Sequence, residues 1–179
     1  MTVKECILER RSIRKFTTKA VEESVLREII EEASYSPSWK NTQIVRYIAV
    51  SDPAVKEKIS HCTSGYPHNG DIINGAPTVI AVTMIKNRCG YERDGSYSTT
   101  KEDGWQMFDA GIASQTFCLA AHEHGIGSVI LGILDYDEIA KILQLPEDRE
   151  LVTLIPIGYP DEAPAAPKRK TIDDILTIV

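Results

Sequence analysis

Apolar residues recur along the chain in two rhythms. Across "VEESVLREIIEEAS", Val21, Val25, Leu26, Ile29, Ile30 and Ala33 fall on one face with the glutamates opposite, which predicts an amphipathic helix. A shorter helix, "VKECILERR", precedes it. "IVRYIAV" is short, β-branched and aromatic, hence a strand, and Asp52-Pro53 then caps a helix over "PAVKEKISHC". Ala76-Pro77 leads into "TVIAVTMI", a continuous apolar run suited to a strand buried on both faces. "GWQMFDAGIASQTFCLAAHEHG" is apolar nearly all round from Met107 to Ala121, which predicts a central core helix stopped at Gly125. "SVILGIL" reads as a third strand, Asp135 with Glu138 as a capping box for "DEIAKILQL", and "ELVTLIPIG" as a fourth strand.

Two stretches break the rhythm. Residues 86–103 carry few aliphatic side chains and many turn formers, and a loop that long in a compact domain is usually a functional lid or a mobile flap. In the tail, Pro160, Pro164 and Pro167 hold the chain extended, Lys168, Arg169 and Lys170 follow, and then come Ile172, Ile175, Leu176, Ile178 and Val179. Such a tail is expected to crawl over a surface and bury its apolar stripe, with a second subunit as one candidate. No repeat and no composition break divides the chain, so residues 1–179 are expected to form one domain.

Charge narrows the partners. Lys and Arg total 20 against 26 Asp and Glu, a formal net charge of −6, which disfavours nucleic acid and anionic membranes. No apolar run approaches the roughly 20 residues that span a bilayer, and the N-terminus lacks a leader pattern, so a cytoplasmic protein without a membrane partner is expected. Cys6, Cys62, Cys89 and Cys118 are scattered without metal or disulfide spacing and are expected to be free thiols.

Against that acidic background, "LERRSIRKF" is an island of Arg10, Arg11, Arg14 and Lys15 around Ser12. Three guanidinium groups within five residues can grip phosphate oxygens, with the hydroxyl and backbone N–H groups completing a cradle. The competing explanation is a solvated cluster at a helix C-terminus, where cations are favoured anyway. "SPSWKNTQ" joins small and amide side chains to one large aromatic, Trp39. Its Asn41 and Gln43 offer the donor and acceptor pairs needed to read a heterocycle edge-on, although a lone Trp more often packs a core. His122 and His124 stand at i,i+2 on a helix and face apart, which argues against a metal pair. No hydrolase elbow, Walker loop or dinucleotide fingerprint is present, and Gly125-x-Gly127 precedes a strand.

Taken in order, "RRSIRKFTTKAV", "SPSWKNTQ", "APTVIAV", "LAAHEHGIGSVILG" and "LIPIGYPDEAPAAPKRK" resemble the FMN-dependent nitroreductase family along nearly the whole chain. The resemblance implies an α+β fold with a central, mostly antiparallel sheet flanked by helices. It also implies an intertwined homodimer whose C-terminal tail extends over the partner, with two FMN sites at the interface. Carried over residue by residue, Arg10, Arg11, Ser12 and Arg14 hold the FMN phosphate, ribityl chain and pyrimidine edge. Pro37, Ser38, Trp39 and Asn41 match the loop laid against the flavin by the other subunit. Leu131 and Gly132 match backbone near N5, Asn69 matches an amide that meets the flavin, and Lys168 and Lys170 match basic residues returning to the phosphate. The chain departs from many relatives in its bulky Trp39-Lys40 and in Ile72, which stands where some place a lysine.

The implied activity is NADH- or NADPH-dependent reduction of a small-molecule acceptor such as a nitroaromatic or quinone by a ping-pong cycle. No side chain need serve as acid or base, because the flavin carries the chemistry and solvent supplies protons. The alternatives are another reaction on the same site (dehalogenation, flavin fragmentation, enoate reduction) and a non-catalytic FMN sensor or store.

Overall fold

The computed structural model describes residues 1–179. A four-stranded antiparallel sheet holds β1 (Val45–Val50), β2 (Thr78–Ile85), β3 (Gly127–Ser128) and β4 (Arg149–Gly158) in the spatial order β1-β2-β4-β3. Side chains alternate along a strand, so β2 feeds two cores at once. Val79 and Ala81 join Leu154 on one face, while Ile80 and Val82 join Ile155 and Ile157 on the other. The first face is covered by α3 (Pro53–Ser60), α4 (Pro67–Gly75) and α6 (Tyr136–Ile142) through Ile59, Ile72, Ile73 and Ile139. The second lies under α2 (Glu23–Ser34) and α5 (Gly104–Glu123) through Ile29, Ala33, Phe117 and Ala121. Burying each such Ile, Leu or Phe stabilises the fold by about 1.5–3 kcal/mol, so this double core holds the sheet. The α+β architecture is the one expected, and the apolar run of β2 is buried on both faces.

Local chemistry accounts for the element ends. Thr2 and Glu5 form a reciprocal capping box that starts α1 (Val3–Glu9), and Asp52 accepts from the Ala54 N–H to start α3. Gly125 stops α5 with φ +72°. Two expectations are corrected and one element is added. The third strand is only Gly127–Ser128, prolonged by single ladder contacts at Val129 and Leu131, because beyond Leu131 the chain leaves β4. Asp135 does not cap α6: its carboxylate accepts from the Ser64 N–H and hydroxyl instead. The helix α4 was not anticipated, since "HNGDIING" has weak helix propensity; burial of Ile72 and Ile73 overrides it.

The N-terminal segment extends the sheet on its far edge. Ser12 bridges Ser128 in parallel, the Ile13 N–H donates to the Ser128 carbonyl at 3.0 Å, and Phe16 bridges Pro160. The opposite edge, β1, pairs only with β2.

Candidate functional site

The arginine island begins where α1 ends. Arg10 has left the helix, with ψ 130°, so Arg11, Ser12 and Arg14 are not on a solvated helix terminus but on a chain laid against β3. Ile13 anchors that chain: it is 7% exposed and packs so tightly on Gly127 that a Cβ there would lie 2.9 Å from Ile13 Cβ. With Ile13 turned inward, its neighbours Ser12 and Arg14 are turned out. Arg11 Nη1 donates to the carbonyls of Leu8 and Arg10, and Arg14 Nη1 to that of Ser12 at 3.2 Å. The backbone N–H groups of Arg14 and Lys15 donate to the Glu162 carboxylate, which fixes the Pro160–Pro164 turn beside them.

Arg10 and Arg11 line a cleft of about 480 Å³ together with His122, Ser128, Glu162 and Pro164. Burial holds the His122 imidazole below its ordinary value; Arg10 and Arg11 act in the same direction, and Glu9 and Glu123 oppose them. Its Nε2 is buried with no partner in the chain. His124 points elsewhere, pairing with Glu32 at 3.0 Å and Glu28 at 3.6 Å to tie α5 to α2.

Leu131 and Gly132 continue from β3 on the same edge. Leu131 is buried, Gly132 is exposed, and the Leu131 N–H donates to the Leu154 carbonyl at 2.9 Å. Asn69 reaches this segment from α4: it is buried, and its Nδ2 donates to the Ile133 carbonyl at 3.1 Å. Its amide thus holds backbone.

The "SPSWKNTQ" loop lies on the other side of the sheet, between α2 and β1. Lys40, Asn41 and Gln43 all have positive φ (44°, 56° and 47°), an arrangement that persists only where the surroundings impose it. Asp109 imposes it from α5: 3% exposed, its carboxylate accepts from the Trp39 N–H at 2.9 and 3.1 Å and from the Cys89 thiol at 3.0 Å. Burial and this hydrogen bond push the Cys89 thiol up to about 12. Ser38 Oγ accepts from the Gln43 N–H at 3.0 Å. Trp39 packs on Trp105 with ring centroids 4.5 Å apart, and Trp105 meets Phe108 edge-on at 5.5 Å. The Trp39 Nε1 is buried without a partner in the chain.

The 86–103 flap is fastened to the same wall. Lys40 pairs with Glu92 at 3.0 Å, Trp105 Nε1 donates to Thr99 at 2.8 Å, and the Asn87 N–H donates to Gln106 at 2.8 Å. Gly90, with φ +84°, passes so close to the Glu102 carbonyl that a Cβ would lie 2.5 Å away.

Within the chain the two walls stay apart. Pro37 and Ser38 line a groove of about 1030 Å³ that shares no residue with the arginine cleft. Lys168 and Lys170 are exposed and make no ion pair in the chain, and the arginine cleft is lined no further along the tail than Pro164. Sequence reasoning missed His122 as a cleft residue and Asp109 as an anchor. Asp109 had a signal, being the sole charged residue between Gly104 and Ala121.

The α+β sheet that carries the arginine cleft on one edge and the strained aromatic loop on the other side has the fold of solved nitroreductase family proteins. The chain matches the nitroreductase family over residues 7–159 and belongs to it. A protein of Methanothermobacter thermautotrophicus provisionally named NADH dehydrogenase/NAD(P)H nitroreductase is 32% identical over 168 residues, covering 92% of this chain and 80% of that one. An FMN reductase (NADPH) of Bacillus subtilis is 25% identical over 163 residues, covering 87% and 65%. Among solved structures, a nitroreductase family protein of Clostridium novyi superposes with a TM-score of 0.78 at 27% identity, covering 93% and 89%. No helix is long and apolar enough to cross a membrane.

Proposed function

We propose that the protein is an FMN-dependent oxidoreductase that takes electrons from NADH or NADPH and reduces nitroaromatic or quinone-like acceptors in a ping-pong cycle. The observation that carries this reading is the arginine cleft. Arg10 and Arg11 line it, Arg14 and Ser12 stand on the same extended segment, and the buried His122 Nε2 lacks a partner beside them. This donor set fits a phosphate monoester. FMN, when bound, supplies two-electron transfer between nicotinamide and acceptor. Arg10, Arg11 and Ser12 would hold its phosphate end, Leu131–Gly132 backbone would lie against its ring, and Arg14 would stabilise the negative charge of its reduced pyrimidine edge. Trp39 would wall the acceptor side.

The same reading asks for a homodimer, because Pro37–Asn41 lies away from the arginine cleft of its own protomer. Unburied apolar surface supports it. Met107 and Phe108 of α5 are 49% and 58% exposed, so a helix apolar nearly all round keeps one open face. Ile172, Ile175, Leu176 and Ile178 of the tail are exposed, and the groove beside edge strand β1 is open to receive a partner's tail.

The test is the visible spectrum of the purified protein with added FMN, before and after each nicotinamide. Bound oxidised flavin that bleaches with NADH or NADPH and recovers with a quinone is expected. Flavin that binds but never bleaches makes the protein a store or sensor, and a protein that binds no FMN removes the reading.

A further inference from the structure

Three consecutive carbonyls after β3 each accept a hydrogen bond from a side chain: Leu131 from Thr153 Oγ1 at 2.7 Å, Gly132 from the Tyr136 hydroxyl at 2.9 Å, and Ile133 from Asn69 Nδ2 at 3.1 Å. The donors come from three different elements, β4, α6 and α4. Thr153 and Asn69 are 5% and 6% exposed, so their bonds form in a low-dielectric surrounding where they hold firmly. Thr153 is placed by an irregularity. Val82 pairs with Thr153 and Thr83 with Leu151, so Val152 is an extra residue, a bulge that re-aims the neighbouring side chains. The exit is fixed as well, since the Asp135 N–H donates to the Cys62 carbonyl and its carboxylate accepts from Ser64.

A trans peptide is planar, with its C=O and the following N–H pointing opposite ways. No peptide in the chain is cis, so pinning the carbonyls of Leu131 and Gly132 also aims the N–H groups of Gly132 and Ile133. Neither N–H donates to any acceptor in the chain. The space in front of them is open: a Cβ on Gly132 would meet nothing within 4 Å, and Ile133 is 49% exposed.

We propose that Thr153 and Tyr136 are positioning residues that hold the N–H groups of Gly132 and Ile133 as preformed donors for the acceptor edge of a planar heterocycle. On the FMN reading, on which the identity of the ligand rests, that edge belongs to the isoalloxazine. Asn69 holds the next carbonyl, that of Ile133, and so anchors the exit of the segment behind the two donors. Preorganisation of this kind removes the ordering cost that a free loop would meet on binding. Were the bonds only structural, their loss would lower stability without disturbing the two amides as ligand donors.

The experiment uses the full chain with Tyr136→Phe, Thr153→Val and Thr153→Ser, reading the backbone amide signals of Gly132 and Ile133 without ligand and the affinity for FMN. Tyr136→Phe and Thr153→Val are expected to shift both amide signals and weaken FMN binding about three- to ten-fold, the loss of one ordinary hydrogen bond. Thr153→Ser, which keeps the hydroxyl, is expected to restore both. Unchanged amide signals and affinity in folded Tyr136→Phe overturn the proposal, as does Thr153→Ser behaving like Thr153→Val. Should Thr153→Val fail to fold, Tyr136→Phe decides alone, because its ring is half-exposed and stays in place. A wild-type chain that binds no FMN removes the flavin reading, while the ligand-free amide signals still decide whether the side chains position the backbone.

Discussion

On one side of the sheet, Arg10–Arg14 runs along β3, with Ile13 wedged against Gly127 and Glu162 holding the backbone amides. On the other, Lys40, Asn41 and Gln43 adopt positive φ without being glycine, and the buried Asp109 carboxylate holds Trp39 and Cys89 in place. The first wall gets its shape from sheet geometry and close packing, so it is rigid by construction. The second stores local strain that one buried charge must offset. Loss of a single side chain should therefore be felt more sharply at the loop than at the cleft.

Removing the tail tests the two walls together, and the largest effect is expected there. Deleting residues 164–179 takes away Pro164 of the cleft and the exposed Ile172, Ile175, Leu176 and Ile178. If the protein is the proposed FMN-binding dimer, the shortened form should run as a monomer on gel filtration and come out colourless. A yellow dimer would show that neither wall depends on the tail.

Asp109→Ala separates the walls. It leaves the Trp39 N–H and the Cys89 thiol without an acceptor inside the protein, which should cost about 3 kcal/mol in denaturant unfolding. Tryptophan fluorescence from the Trp39–Trp105 pair should report a loosened loop, while affinity for added FMN changes less. If Asp109→Ala unfolds at the wild-type midpoint, the strained loop is held by something else. Gly127→Ala makes the matching test on the cleft side: its Cβ meets Ile13 at 2.9 Å, and the overpacking should cost about 1–3 kcal/mol. FMN affinity should fall with it, because the arginine segment is displaced. Arg14→Ala, which touches neither packing nor strain, should weaken FMN binding about tenfold and lower the midpoint potential of the bound flavin. An unchanged potential with FMN bound would take the charge-stabilising role from Arg14.

What the sequence showed and what it hid follow from range. The amphipathic period of α2, the Asp52 cap and the buried run of β2 are local signals, and each is present as read. The arginine island was visible as a charge anomaly, and what the sequence hid is that the segment leaves the helix at Arg10 and runs along β3. The Asp135 cap failed because Ser64, 71 positions away in the chain, competes for its carboxylate. The helix α4 was invisible because its Asn and Gly content argues for a turn, and only packing of Ile72 and Ile73 reverses that. Thr153, Tyr136 and Asn69 could not be grouped from spacing at all, since they meet only on the backbone of residues 131–133.

The smallest effect is a pH dependence that belongs to the loop wall. Cys89 is raised from its ordinary 9.0 to about 12, chiefly by burial and then by Asp109, so the folded chain keeps a proton that the unfolded chain loses. A raised value means that the contribution is fully present below pH 9 and is lost as pH climbs towards 12. Tyr47, raised by burial from 10.0 to about 12, adds the same sign one unit later and lies in the core beneath α5. Cys89→Ser keeps a hydroxyl donor for Asp109 but has nothing to titrate. Its unfolding free energy relative to wild type should be constant below pH 9 and should rise above it, with the divergence beginning before the Tyr47 range. Parallel curves through pH 9–10 would mean that Cys89 titrates alike in both states, and that the thiol is not enclosed with Asp109 behind Trp39.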